Sequence, residues 1–269
     1  MKIVLFHTSY SQVKFNTYID KILEPQLKSL SYTDDQLTID IIVHNNSHKF
    51  TETDVVESVN GDRLKGMKYI DSVSVIHTDK NIGYFWGAQE AISDNFGRLH
   101  GADFVIHLNS NVFITNIRRV IEYLFENINS KSAFFINEFM RKKNNERGFK
   151  TQFTIFRPVM NFYKNYNNDA FKRTLVPRPI PEHMIKAMCL ANNYEYTIIP
   201  TEFIPCSCDS IRGVGPVDKI SVVYNISYYH PDPASFLRDP NQQKRVFKDN
   251  IYGVVDHMVD LVNQVHAGR

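Results

Sequence analysis

Two stretches of this chain hold the residues best suited to binding a ligand: Lys80-Asn81-Ile82-Gly83-Tyr84-Phe85-Trp86-Gly87 and Asp103-Phe104-Val105-Ile106-His107-Leu108-Asn109-Ser110-Asn111. The second reads as an apolar strand that stops in small polar residues. In an open α/β sheet, ligands bind beyond the carboxyl ends of the strands. Asn109 and Asn111 stand at such an end. An amide oxygen can coordinate a hard cation, but it adds no negative charge. In the first stretch, Gly83 and Gly87 permit either close approach of backbone to a ligand or a tight strand-to-helix turn with close helix packing.

The elements that must carry these residues follow from apolar patterning. Residues 3–6 and 73–77 read as short strands, and residues 37–43 as a β-branched strand ending in a polar turn, His44-Asn45-Asn46-Ser47. Within residues 18–30, Ile19, Ile22, Leu23 and Leu27 fall at helical spacing. Residues 84–96 carry Phe85, Ala88, Ile92 and Phe96 on one helical face, and residues 104–108 form the next strand. Ile117, Val120, Ile121, Leu124, Phe125 and Ile128 make the clearest helical stripe, with Thr115 as its expected N-cap. This alternation predicts the α/β class, with a doubly wound, mostly parallel sheet.

The second half is mixed and smaller. Residues 133–139 and 152–156 read as strands separated by a charged loop over 141–150. That basic loop can hold an anion or can simply be solvated. Pro177-Arg178-Pro179-Ile180-Pro181 reads as a rigid linker into a short helix with Ile185, Met188 and Cys189 inward. Residues 194–199 and 221–229 read as strands and 246–265 as a final helix rich in valine. The expectation is one domain over 1–269, divided into halves 1–125 and 126–269.

Composition narrows the class. A hydrophobic share of 43% with 22% charged residues is ordinary for a soluble globular protein. A net charge of +2 is too small to argue for nucleic acid or an anionic membrane. No apolar run is long enough for a signal peptide or a membrane span. Three cysteines, Cys189, Cys206 and Cys208, form no disulfide framework, so the expected setting is reducing and cytoplasmic. The turn after the first strand, His7-Thr8-Ser9-Tyr10-Ser11, contains no glycine, which argues against a dinucleotide dehydrogenase. The Walker phosphate loop is also missing.

Three pieces, in order, resemble family-two glycosyltransferases of the GT-A fold. His44-Asn45-Asn46-Ser47 is similar to the Asp-Asn-x-Ser turn after their second strand. Asn81-Ile82-Gly83-Tyr84-Phe85-Trp86-Gly87 is similar to their Asn-x-Gly-x-x-x-Gly segment, and Leu108-Asn109-Ser110-Asn111-Val112 to the Leu-Asn-Pro-Asp-Val form of their Asp-x-Asp metal motif. The likeness covers roughly residues 1–125 well and the rest loosely.

The resemblance implies a nucleotide-diphospho-sugar transferase fold. It also implies transfer of a hexose or pentose from a nucleoside-diphosphate sugar to an acceptor hydroxyl, with inversion. Thr8, Ser9 and Tyr10 would line the base pocket beside His44 and Asn45, with Asn81, Gly83 and Gly87 also on the donor and Asn109 and Asn111 bracketing the diphosphate. An inverting transfer needs a general base within reach of the acceptor hydroxyl. By the resemblance, Glu182 is the first choice for that base and His183 the second.

The expected cofactor, by the resemblance, is Mn or Mg, held weakly by Asn111 with help from His230, or none, with Lys80, Arg157, Arg238 or Lys244 neutralising the leaving group. The acceptor is left open between a glycan, a lipid-linked sugar, a protein and a nucleic-acid base. The missing carboxylates also admit a different class, a non-catalytic nucleotide-sugar or glycan-binding protein on the same fold.

Overall fold

Strands β1 (Lys2–Ser9), β2 (Thr38–Asn45), β3 (Ile70–His77) and β4 (Phe104–Leu108) lie parallel in this computed structural model, which describes residues 1–9, 19, 23–33, 35–46, 61–78, 84–109, 112–114, 116–141, 146–159, 181–200, 206–207 and 223–225. With β6 (Phe134–Arg141), β7 (Glu146–Phe156) and β8 (Tyr196–Ile198) they form a seven-stranded sheet of order β3-β2-β1-β4-β7-β6-β8. Only β7 runs against its neighbours, β4 and β6. The apolar runs of β1 and β4 pair directly, Ile3 with Phe104 through His7 with Leu108. Continuous apolar runs are what strands covered on both faces require.

Helices do cover both faces. On one, Leu27 of α1 (Glu24–Lys28) and Leu64 of α2 (Gly61–Lys65) pack with Val120 and Leu124 of α5 (Ile117–Glu126) over Ile3, Leu5 and Ile106. On the other, Ile92 of α3 (Tyr84–Asp94), Leu99 of α4 (Phe96–Leu99) and Ile185, Met188 and Cys189 of α6 (Pro181–Ala191) meet Val4, Phe6 and Val105. The inward face expected for α6 is the one observed. A smaller sheet sets β10 (Val223–Asn225) antiparallel to β5 (Val112–Ile114) and parallel to β9 (Cys206–Ser207).

Three expectations are corrected. His44 and Asn45 are not a turn. They are the last two residues of β2, kept extended by pairing with Thr8 and Ser9 on one side and Ile76 and His77 on the other. The charged segment 141–150 is mostly strand: β6 and β7 stay paired out to Arg141 and Glu146. That part of β7 runs on past Phe153, the partner of Leu108 at the end of β4. A hairpin that runs on past its neighbouring strand can carry charged residues, which hides its period from an apolar-pattern reading.

The cap of α5 is Asn116, whose Oδ1 accepts from Arg119 N at 3.1 Å, rather than Thr115. Buried Gln26 of α1 spans the same junction. It accepts from Ile117 N at 2.6 Å and donates to Ile114 O at 3.3 Å. Thr115, Cys208, linker residues 177–180 and the helix expected over 246–265 lie outside the described residues.

Candidate functional site

Parallel pairing brings the carboxyl ends of β1 to β4 to one edge of the sheet: Thr8-Ser9, His44-Asn45-Asn46, His77-Thr78 and Leu108-Asn109. The chain turns at once after β4, with Val112 N donating to Asn109 O at 2.9 Å. Pairing of Asn225 with Val112 adds the end of β10 beside that turn. None of these four strand ends carries a carboxylate among the described residues.

Side chains alternate across a sheet, so Thr8, His44 and His107 share the face covered by α3 and α6. They are buried and bonded in a row. Thr8 Oγ1 lies 3.2 Å from His107 Nε2 and 3.3 Å from His44 Nδ1. His44 Nε2 lies 3.2 Å from Thr78 Oγ1, and Thr78 N donates to Asn45 O at 3.1 Å. On the opposite face, the Asn45 amide donates to His77 Nδ1 at 2.9 Å.

Burial sets the electrostatics. It lowers the pKa of His44 and His7 to about 3 and that of His107 to about 4, with neighbouring imidazoles pushing His44 and His7 further the same way. All three rings are therefore neutral at pH 7. Thr8 and His44 have no exposed surface, so they act from beneath the edge, while Asn45 and Asn109 sit nearer to solvent.

Gly87 lies in the first turns of α3, and its Cα faces the Asn46 side chain at this edge. The close approach it permits is to that amide. α6 brings the second half to the same place. Its end is closed by Tyr194 N donating to Cys189 O and Asn193 N to Leu190 O, with Asn193 at φ 54°. This is the paired-bond helix stop in which asparagine tolerates the left-handed conformation. The chain then enters β8 at the amino end of β6, where Ala133 N donates to Glu195 O at 2.9 Å. So α6 runs back along the sheet, and its first turn, with the backbone of Glu182 and His183, lies toward the carboxyl-end edge of the sheet. Tyr10, Asn81, Gly83, Asn111, His230, Lys80, Arg238 and Lys244 lie outside the described residues.

Arg157 is removed from the candidate cations. It follows β7 at the far edge, where its Nη2 donates to Asn127 O at 2.7 Å and Ile128 O at 2.8 Å. There it closes the end of α5, and its guanidinium sits 4.3 Å from the Phe104 ring centroid. A cavity of about 300 Å³ also opens at that far edge, between Thr38, Lys68, Tyr69 and Asp71. Two of its polar side chains are engaged elsewhere: Tyr69 Oη is held at Leu30 O and Tyr32 O, and Lys68 Nζ donates to Leu30 O.

Among the described residues, no three His, Cys, Asp or Glu side chains gather closely enough to hold a metal. The neutral donor set of the described edge does not fit a tightly held divalent cation. No described helix is long and apolar enough to cross a membrane. Sequence reading missed His107 and Thr78. The signal for His107 was one polar residue in an otherwise apolar strand, two positions before Asn109 and thus on its face.

The galactosyltransferase LgtC, solved in complex with donor and acceptor sugar analogs, superposes on 98% of this chain and 96% of its own with a TM-score of 0.51, at 10% identity. The chain has the GT-A glycosyltransferase fold. Mouse xyloside xylosyltransferase 1 matches 84% of this chain and 97% of its own at 10% identity, with a TM-score of 0.46. TarS 1-349 of S. aureus matches 100% of this chain and 72% of its own at 13% identity, with a TM-score of 0.44. No protein-family profile and no curated protein sequence matches the chain.

Proposed function

We propose that this chain is a glycosyltransferase that moves a sugar from a nucleoside-diphosphate sugar to an acceptor hydroxyl, with inversion. The observation that carries the reading is the shared edge. The ends of β1, β2 and β4 and the first turn of α6 lie toward the same edge of the sheet, which supports a reading in which donor and acceptor are held there. Fold alone does not determine chemistry, so the reading rests on what this edge offers.

In the proposed mechanism, the base and ribose lie against the ends of β1 and β2, near Ser9, Tyr10 and Asn45, with Asn81 and Gly83 alongside. The diphosphate lies by Asn109 and Asn111. Glu182, with His183 as the second choice, takes the proton from the acceptor hydroxyl. That oxygen bonds to the anomeric carbon as the bond to the nucleoside diphosphate breaks. A divalent ion brought with the diphosphate would supply charge neutralisation, with Asn111 and His230 meeting it. Otherwise a lysine or arginine of the chain meets the leaving group. Residues 1–125 would serve the donor and 126–269 the acceptor.

A panel of nucleoside-diphosphate sugars tests the reading by thermal shift, since a ligand that binds only the folded state raises its melting temperature. One donor should stabilise the protein and then be hydrolysed slowly or transferred. If no donor stabilises the protein and none is consumed, the reading is wrong.

A further inference from the structure

We infer that His107, Thr8, His44 and Thr78 form one directional hydrogen-bond chain that fixes the Asn45-Asn46 exit of β2, with His107 as its terminal donor and a positioning residue for the edge. The inference rests on hydrogen-bond accounting across β4, β1, β2 and the residue that follows β3. As a role in donor binding, it also rests on the reading of that edge given above.

The direction follows from the acceptors at the far end. Thr78 Oγ1 contacts Asn45 O and Asn46 Oδ1, each at 3.4 Å. Carbonyl oxygens only accept, and the proposed direction gives them the single hydroxyl proton of Thr78. In that direction His44 Nε2, 3.2 Å from the same hydroxyl, is the donor, whereas the reverse direction would make it the acceptor and place the ring proton on Nδ1. A neutral imidazole has one N–H, so His44 Nδ1 accepts, and among the described residues the hydroxyl bonded to it is that of Thr8 at 3.3 Å. With that proton spent, Thr8 Oγ1 accepts from His107 Nε2 at 3.2 Å. Both histidines are thereby held in the Nε2–H form.

Thr8 and His44 are fully buried and His107 is 1% exposed, so losing the Thr8 hydroxyl leaves buried polar groups without that partner. The neutrality of both rings agrees with the effect of burial on them. The chain crosses β4, β1, β2 and the residue after β3. It ties together the strand ends on which a donor would rest, and a preorganised edge pays less to bind.

The test uses the full chain labelled with 15N, reading imidazole nitrogen shifts at pH 7 and amide hydrogen exchange at Thr78. His44 and His107 should both show a protonated Nε2 and a bare Nδ1. Thr8→Val keeps the shape and removes both links. It should release the His44 tautomer and speed Thr78 exchange about tenfold or more, whereas Thr8→Ser should restore both signatures. His107→Gln, whose amide can donate from near the Nε2 position, should preserve the His44 tautomer. An Nδ1–H form of either ring in the unmodified protein overturns the inference, as does Thr8→Val leaving Thr78 exchange unchanged.

Binding of uridine, guanosine, thymidine, cytidine and adenosine diphosphates is measured on the same samples. A nucleotide that binds the unmodified protein should bind Thr8→Val about tenfold more weakly and Thr8→Ser nearly normally. Equal binding by Thr8→Val overturns the positioning role. If no nucleotide binds the unmodified protein, the donor reading fails, and the tautomers and exchange still decide the chain.

Discussion

The side chain of Asn46 occupies the space that a Cβ on Gly87 would need: an ideal Cβ there would lie 2.6 Å from Nδ2, 2.8 Å from Oδ1 and 2.9 Å from Cγ. Asn46 has no exposed surface, and Thr78 contacts its Oδ1. A methyl group therefore forces the amide off Thr78 or pushes α3 away from β2. Gly87→Ala should cost about 1–3 kcal/mol in urea unfolding, the range for overpacking. It should also weaken donor binding. Asn46→Ala in the same chain should recover most of the stability, because it opens the space. Unchanged unfolding of Gly87→Ala would mean that the contact is looser than described.

Buried neutral histidines make the protein acid-sensitive. His7, His44 and His107 have folded pKa values of about 3, 3 and 4, against an ordinary value of 6.5. Each folded value is depressed, so the unfolded chain binds more protons than the folded one below 6.5. Stability is then full above that value and falls as pH drops towards 4. Unfolding near pH 5 should take up about three protons. Urea titrations at pH 7.5, 6 and 5 check this. A midpoint that does not fall between pH 7.5 and 5 contradicts the burial of these rings.

Glu182→Ala should abolish transfer while leaving donor affinity within about threefold, since a base that acts on the acceptor contributes to chemistry rather than to donor binding. Single-turnover transfer and donor titration separate the two. Full transfer by this variant passes the role to His183 or elsewhere.

Gln26 holds the β5–α5 junction through Ile117 N and Ile114 O. Gln26→Leu leaves both groups buried without that partner. The expected cost is about 1–3 kcal/mol for each orphaned group. A denaturant midpoint equal to that of the unmodified chain would show that water or a neighbour replaces the amide.

The parallel half of the fold was legible because strands covered on both faces advertise themselves. Residues 104–108 were read as a strand with the bounds that β4 has. Ile185, Met188 and Cys189 were read as inward and are. The ends were harder. His44 and Asn45 look like a turn by residue type, and only the pairing of β1 and β3 on either side keeps them in the sheet. The β6–β7 hairpin carries charge where it leaves the core, so polarity was mistaken for loop.

Arg157 looked like a free cation because composition does not reveal which edge of a sheet a residue reaches. Its carbonyl partners at Asn127 and Ile128 are distant in sequence. The imidazole row was invisible for the same reason. His107 and Thr8 are 99 positions apart, and only strand order makes them neighbours. Sequence did identify Thr8, His44 and Asn109 as a group at one edge, though the first two prove to lie beneath it.

A crystal structure of the protein with a bound nucleoside diphosphate would decide whether this edge is a donor site. The account predicts the nucleotide beyond the ends of β1, β2 and β4, with the base near Asn45, the phosphates near Asn109 and the start of α6 facing them across the crevice. Density for the nucleotide in the far-edge cavity by Thr38, Lys68 and Asp71, with the crevice empty, would contradict it.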